Sequence, residues 1–482
     1  MFVEIDRICL KIPTPSLLWK SVHNNEKHKE IAMNILVLGG GIIGSSIAEI
    51  LCQQRHKVTI VEKNPNIAAQ IDSELDVNVV IGSASESSIL FQAGVTSTDL
   101  CLALTGNDEC NIVAASMAKE MGAIRVAARV YSRIFRDLST FDYQSHFRIT
   151  RLLSSEHLTA MEFARRIRDS SSVTIEYFAR GQIEIQDIVI MRPSQATSKK
   201  LHELRLPPEV RIGSISRNGQ TTIPTAGDTV EVGDRISLLG EQDDLEKVKK
   251  MFYVQSFKKQ NVIIAGGGEI GQQLARILSH RRYFVTIMDS SRSQCENLAQ
   301  QNQGITIVHA NALRRTDLEK EGVGDADIFI ACTGNDEDNI MACVEAEALG
   351  AKKRMAVVTR SDYANVIGRL GIDEVVSPRT VVARQVMGLL NTGPVVFRNA
   401  SLLGGGIEVL ELEVFHDAPV TQGSLEKVTL PANALLAAVL RDGYVFLPNA
   451  KSVLRQRDTV VAFAQSNAIP SLVTAFTPEK MI

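Results

Sequence analysis

Tryptophan is nearly absent from this sequence, one residue in 482, and aromatic residues make up only 5% of it. A surface that stacks bases needs more than that. An excess of positive charge is missing too, because the formal net charge is -3 at pH 7, so nothing in the electrostatics points to nucleic acid as a partner. The seven cysteines (Cys9, Cys52, Cys101, Cys110, Cys295, Cys332 and Cys343) are scattered and none forms a C-x-x-C pair. That argues against a disulfide framework or a zinc site and leaves small buried hydrophobes in a reducing compartment. No apolar run approaches the roughly 18 residues needed to cross a bilayer. The first 32 residues lack an apolar core segment and a small-residue cleavage site, so they do not read as a secretory leader. Residues 1–32 are expected to be a disordered extension, with the folded chain starting at Met33.

Apolar residues, at 45%, are plentiful enough to fill several cores, and the length suggests about three or four domains. The dominant feature is an internal repeat. Gly39-Gly40-Gly41-Ile42-Ile43-Gly44 returns as Gly266-Gly267-Gly268-Glu269-Ile270-Gly271, and Val58-Thr59-Ile60-Val61-Glu62 as Val285-Thr286-Ile287-Met288-Asp289, both offset by 227 residues. Thr105-Gly106-Asn107-Asp108-Glu109-Cys110-Asn111 returns as Thr333-Gly334-Asn335-Asp336-Glu337-Asp338-Asn339 at an offset of 228. Further on, Leu206-Pro207, Gly219, Pro224 and Asp234 match Leu430-Pro431, Gly443, Pro448 and Asp458 at an offset of 224. The duplicated unit is therefore a larger lobe followed by a smaller one.

Within the larger lobe, the apolar run Asn34–Leu38 meets a glycine cluster and then a helical pattern from Ile43 to Gln53. This order reads as a buried parallel strand, a tight turn and a helix. Gly39 permits the turn, Gly41 lets backbone approach a pyrophosphate, and Gly44 lets the helix pack on the strand; Gly266, Gly268 and Gly271 repeat the set. The helix N-terminus then offers unpaired N–H groups to phosphate. Glu62 and Asp289 each lie 18 residues past the last glycine, at the end of the next strand. A carboxylate there suits ribose hydroxyls and repels a 2′-phosphate, favouring NAD over NADP. A lone G-x-G-x-x-G is weak, but here it occurs twice between a strand and a helix.

Val77–Ile81 reads as a third strand, and Leu100–Leu104 and Ile328–Ala331 as fourth strands ending at Thr105 and Thr333, which sit at the lip of the sheet in reach of a nucleotide. The acids Asp108, Glu109, Asp336 and Glu337 suit the first turn of a helix. Arg129 and Arg360 follow the next strands, where a guanidinium reaches either a phosphate or a neighbouring acid. The smaller lobes alternate apolar and polar residues, as in Val173–Tyr177 and Val409–Val414, with hairpin signals at Arg217-Asn218-Gly219 and Arg441-Asp442-Gly443. The expected fold is α/β: two Rossmann-like parallel-sheet N-lobes at 33–155 and 260–379, and two small α+β C-lobes at 173–255 and 400–478. Linkers are expected near 155–172 and 380–404.

With these motifs in place, the chain from Met33 onward resembles the cytosolic regulatory subunits of Trk-type bacterial potassium uptake systems, which carry two RCK (KTN) domains in tandem. The resemblance rests on Gly39–Gly44, Glu62-Lys63, Thr105–Glu109 and their second copies, and on Val230-Glu231-Val232-Gly233-Asp234-Arg235-Ile236 in the first C-lobe. It implies binding of NAD(H) and ATP or ADP. The cofactor-binding residues would be Gly39, Gly40, Gly41, Ile42, Ile43, Gly44, Glu62, Thr105 and Arg129, with Gly266, Gly268, Glu269, Ile270, Gly271, Asp289 and Thr333 in the second copy. It also implies a homo-oligomeric ring, docked in the cytoplasm beneath a membrane potassium-transporting subunit, with no nucleic acid. The sequence departs from this pattern at Leu454-Arg455-Gln456-Arg457-Asp458, where the turn geometry of the first C-lobe does not carry over by sequence alone. The copies differ as well at Leu153-Ser154-Ser155-Glu156 against Val376-Ser377-Pro378-Arg379, and at Glu62-Lys63 against Asp289-Ser290. The competing reading, an NAD-dependent oxidoreductase, needs a proton-transfer residue in a substrate lobe. His202 and His416 stand alone there and are not matched between repeats. A DNA-binding repressor would need a basic helix-turn-helix, and no such segment stands out.

Overall fold

The computed structural model describes residues 32–482 apart from 138, 169–174, 179–182, 253–258, 280–282, 303, 361–362, 364–366, 391–392, 400–405, 442–443 and 479–482. The extension expected at 1–32 lies outside the described residues but for Ala32.

The first N-lobe alternates strands and helices: β1 (Asn34–Leu38), α1 (Ile42–Gln53), β2 (Lys57–Glu62), α2 (Pro65–Glu74), β3 (Asn78–Ile81), α3 (Ser87–Gln92), β4 (Leu100–Ala103), α4 (Asp108–Glu120), β5 (Arg125–Arg129) and β6 (Arg151–Leu153). All the strand pairings are parallel, in the order β3-β2-β1-β4-β5-β6. β1 is central, with Ile35 beside both Val58 and Leu100. Its uninterrupted apolar run is explained by helices covering both sheet faces, which leave Ile35 to Leu38 fully buried. Successive strands are added on one side of β1 up to β3 and on the other side from β4 to β6, so a crevice opens beyond the C-terminal end of β1 where the glycines lie.

Helix α5 (Ser155–Arg168) leads to the first C-lobe: β7 (Ile175–Phe178), β8 (Ile183–Val189), β9 (Val210–Arg217), β10 (Gln220–Thr222), β11 (Arg235–Gly240) and α6 (Gln242–Phe252). Its sheet is antiparallel in the order β10-β9-β11-β8-β7.

The second half repeats the plan. Its N-lobe comprises β12 (Gln260–Ala265), α7 (Glu269–Leu278), β13 (Tyr283–Asp289), α8 (Arg292–Gln301), β14 (Thr306–His309), α9 (Arg315–Lys320), β15 (Ile328–Ala331), α10 (Asp336–Leu349), β16 (Arg354–Val357) and β17 (Glu374–Val376). The strands run parallel in the order β14-β13-β12-β15-β16-β17. Helix α11 (Pro378–Gly388) then leads into β18 (Val395–Asn399), β19 (Ile407–Glu413), β20 (Ala434–Arg441), β21 (Tyr444–Phe446), β22 (Thr459–Gln465) and α12 (Ile469–Phe476). This C-lobe sheet, β18-β19-β22-β20-β21, matches the first C-lobe strand for strand when read in reverse. β18 precedes residue 400, where the sequence places the lobe's start, and pairs with β19.

Helices open both segments expected to be linkers, α5 over Ser155–Arg168 and α11 up to Gly388, and β18 lies in the second. α5 carries Ala160, Phe163, Ala164 and Ile167 on one face, the three-and-four spacing of an amphipathic helix, and all four are buried. That face packs on α7 of the other half, with Leu274, Ala275 and Leu278. α11 returns the arrangement, setting Val382, Val386 and Leu389 against Ile47, Ala48 and Leu51 of α1. Both crossovers begin at the same point of the repeat despite their different sequences, Ser155 and Pro378.

The departing turn of the second C-lobe keeps the geometry of the first. Gly233 has φ +97°, and Arg457 takes the same left-handed place at φ +70°. Asp234 and Asp458 explain why: each accepts a backbone N–H three residues earlier, from Glu231 and Arg455, and pairs with Arg217 or Arg441. In the first hairpin, Asn218 and Gly219 both have positive φ, as a two-residue primed turn requires; Asp442 and Gly443 of the second lie outside the described residues.

Candidate functional site

In each half the glycine loop closes over the end of the central strand. Gly39 donates its N–H to Val61 O at 2.8 Å, and Gly266 donates to Met288 O at 2.9 Å. Gly39 sits at φ +104° and Gly266 at φ +114°, where a side chain would be strained. Gly44 has a different reason: a Cβ there would lie 1.9 Å from Gly39 O, and at Gly271 2.0 Å from Gly266 O. The helix packs that close to the loop only with glycine. Gly41 and Gly268, the N-caps of α1 and α7, face open space, and an added Cβ would meet nothing within 4 Å. No side chain caps either helix, so the first-turn N–H groups border the room that a pyrophosphate needs.

Glu62 and Asp289 tie this loop to the neighbouring strand. Glu62 Oε2 accepts Gly40 N–H at 2.8 Å, and Oε1 accepts Asn64 N–H at 2.8 Å. Asp289 repeats the clamp, Oδ2 to Gly267 N–H at 2.7 Å and Oδ1 to Ser291 N–H at 2.8 Å. A carboxylate oxygen has two lone-pair directions, so each retains one for a ribose hydroxyl. Gly267 was not singled out from the sequence, although the repeat places it opposite Gly40.

On the far side of the crevice, Thr105 and Thr333 are held by Asn111 and Asn339, which the sequence reading passed over. Asn111 Oδ1 accepts the Thr105 N–H at 2.8 Å and its hydroxyl at 2.7 Å, while Nδ2 donates to Arg129 O at 2.9 Å. Asn339 does the same for Thr333 and donates to Val357 O at 3.0 Å. The threonine hydroxyl protons are thus directed at asparagine, leaving the oxygens as acceptors. The signal was present: the last asparagine of each repeated block falls on the buried face of α4 or α10. Asn107 and Asn335, rather than the acids, supply the helix caps. Asp108 and Asp336 accept backbone N–H groups beyond β5 and β16 instead.

Arg129 pairs with Glu156 at 3.4 Å, and Arg360 pairs with Glu337 at 3.4 Å. Ile42 is 65% exposed beside the first loop, whereas Ile43 and Ile270 pack against the cores beneath. Glu269 accepts a hydrogen bond from Gln273 Nε2 at 2.6 Å. In the second half a cavity of about 680 Å³ joins Gly266, Gly268, Asp289, Ser290, Ala310, Asn311, Ala312, Thr333 and Gly334, within the usual range for small-molecule sites. A cleft of about 750 Å³ lies at the opposite edge of the first sheet, beside Asn34, Lys57 and Asn78. It lacks a glycine loop and sits at the N-terminal strand ends, the wrong edge for a ligand in this architecture. Burial pushes the Cys332 and Cys343 thiols up to about 12, and Cys101 higher still, so these three act as packing groups.

The TrkA-N domain family model matches residues 35–140 and 262–378, and the TrkA-C domain model matches residues 185–253. A Trk system potassium uptake protein TrkA homolog of Archaeoglobus fulgidus is 30% identical over 446 residues, covering 92% of this chain and 100% of that one. The chain belongs to the TrkA family. The Trk system potassium uptake protein TrkA of Azorhizobium caulinodans is 28% identical over 455 residues, covering 92% of this chain and 98% of its own. Among solved structures, the GsuK channel bound to NAD has a TM-score of 0.56 at 16% identity, covering 95% of this chain and 82% of that one. The two TrkA-N stretches take in both glycine loops, both acid clamps and both threonine–asparagine pairs. Among the described residues, no helix is long and apolar enough to cross a membrane.

Proposed function

We propose that this TrkA-family protein is a nucleotide-binding regulatory subunit that controls potassium uptake through a Trk-type membrane transporter. NAD(H) and ATP or ADP are its ligands, one at each glycine loop, and it works without turnover. The observation that carries this reading is the paired site. Two loops, each clamped by a carboxylate with spare acceptor capacity, face open space exactly where a pyrophosphate would rest on a helix N-terminus. Support comes from the relatives named as Trk system proteins and from a channel of similar fold that binds NAD.

Regulation needs only that a nucleotide favour one arrangement of the lobes; about 1.4 kcal/mol of preference shifts the balance tenfold. A homo-oligomeric ring on the inner face of the membrane would pass that bias to the potassium-transporting subunit. Isothermal titration of NADH, ATP and ADP into the parent chain and into Gly41→Asp and Gly268→Asp variants tests the reading. Each substitution should abolish one site and spare the other, since the new carboxylate fills the open face of its loop. Absence of binding by the parent chain would overturn it.

A further inference from the structure

The cavity at the second loop runs along the carboxyl edge of its sheet, from residues 310–313 beyond β14, past Asp289 and the glycines, to Thr333, Gly334 and Asp338 beyond β15. Among the described residues its lining holds two carboxylates, Asp289 and Asp338, and no lysine, arginine or histidine. The backbone N–H groups at the start of α7 must then hold a pyrophosphate without help from a side-chain cation.

Asp289 is engaged in the loop clamp, but Asp338 has no such duty. It is one of the acids in the first turn of α10, with Asp336 and Glu337. Asp336 accepts the N–H groups of Thr359 and Arg360, and Glu337 takes Arg360 and the Tyr363 hydroxyl. Among the described residues, the Asp338 carboxylate has neither a hydrogen bond nor an ion pair; only its backbone N–H is held, by Asn335 Oδ1. A first-turn acid complements the helix dipole, yet Asp336 and Glu337 already serve that end. The first loop differs at this point. Cys110 holds the matched position, its N–H on Asn107 Oδ1 at 2.6 Å as the Asp338 N–H is on Asn335 Oδ1 at 3.2 Å. Lys63 stands in the place of Ser290, which lines the second cavity. The second loop is thus the more acidic of the two.

A dinucleotide whose pyrophosphate rests on the second glycine loop, and whose adenosine ribose meets Asp289, sends its other nucleoside across β12 toward Thr333 and Asp338. On that nucleoside the nicotinamide ring carries a positive charge when oxidised and none when reduced. An unpaired carboxylate beside the ring separates two forms that are otherwise alike in phosphates, ribose and adenine. We propose that Asp338 makes the second loop selective for NAD+ over NADH, so that this site reads the redox state of the dinucleotide, whereas Cys110 leaves the first loop without that selectivity. The inference rests on the nucleotide reading above and deepens it. Opposite unit charges a few ångströms apart at a solvated protein surface favour the charged form by about tenfold after screening.

The test titrates NAD+ and NADH calorimetrically into the full chain carrying Gly41→Asp, so that only the second loop is open. NAD+ should bind about tenfold tighter than NADH. Asp338→Asn should bring the two within about twofold of each other, and Asp338→Glu should retain the preference. A role confined to the helix dipole would instead lower the melting temperature of Asp338→Asn and leave the ratio where it was. In the Gly268→Asp background the first loop should bind the two forms within about twofold, and Cys110→Asp should confer a preference for NAD+. Equal affinities at the second loop, tighter binding of NADH there, or a ratio that Asp338→Asn leaves in place overturns the selectivity and leaves the nucleotide function standing. A chain open at the second loop that binds neither dinucleotide nor ATP overturns both. Should Asp338→Asn fail to fold by its melting curve, the Cys110→Asp chain decides, and a first loop that gains no preference overturns the proposal.

Discussion

Asn111 and Asn339 show how much one buried amide organises. Each fixes the threonine at the lip of the crevice and the end of the next strand at once. Asn111→Leu keeps the volume but strands the Thr105 N–H and the Arg129 carbonyl. It should cost about 2–4 kcal/mol in urea denaturation, the range for losing a buried hydrogen-bond network. A loss under about 1 kcal/mol would mean the two groups find other partners. Asp187 in the first C-lobe sits oppositely, as a destabilising charge. Burial raises its pKa to about 6, against the hydrogen bond from Ser237 and the field of Arg235. A carboxyl raised in the folded state stabilises the fold below its unfolded value near 4, and that contribution fades as pH climbs through 6. Asp187→Asn should therefore match the parent below about pH 4 and exceed its stability above pH 6 by up to about 3 kcal/mol, read from melts across that range.

At the scale of elements, the crossover helices are joined by a charge cluster around the buried Glu162 as well as by apolar faces. Glu162 on α5 is bound by Arg165 and Arg166 of its own helix and by Arg384 of α11. Burial alone would raise its pKa, but Arg165, Arg384 and Arg166 together hold it at about 2. The group is depressed in the fold, so its contribution, about 3 kcal/mol, is complete above its unfolded value near 4.5 and disappears as pH falls toward 2. Glu162→Gln should lose that much at pH 7 and converge with the parent near pH 2; a constant deficit across the range would contradict the assignment. These helices also mark where the sequence stops being readable. The loops and the strands around them follow from local rules, a glycine needed for positive φ or an apolar run ended by a turn, and the repeat shows each twice; the sequence offers Glu62 and Asp289 as ribose acceptors, and their clamp on the loop N–H groups emerges only in the fold. The face of α5 is visible in Ala160, Phe163, Ala164 and Ile167, yet nothing local says that its partners are Leu274 and Leu278, more than a hundred residues away.

For the whole molecule, sharing of the crossovers means that each loop helix is packed between its own sheet and the crossover helix of the other half. Arg125 adds a tie, donating from the first N-lobe to Leu389 O and Gly393 O beyond α11. Calorimetry should accordingly show the two N-lobes melting in one transition. In the Gly41→Asp chain, nucleotide at a hundred times its Kd should raise that single transition by the equivalent of about 2.7 kcal/mol. Two resolved N-lobe transitions, with only one moving, would show that the halves are energetically independent.

The fused crossovers also bear on what evolution of such a chain is free to change. Two separate copies of one half, paired about a two-fold axis, must present the same residue on both sides of every contact. Here the contact is made within one polypeptide, and at matched positions one crossover helix carries Glu156, paired with Arg129, where the other carries Arg379, which reaches Ser46 of the opposite loop helix. Covalent linkage has released the pair from symmetry, so acid on one side and base on the other can be selected separately, and one ancestral surface can become two unlike sensors.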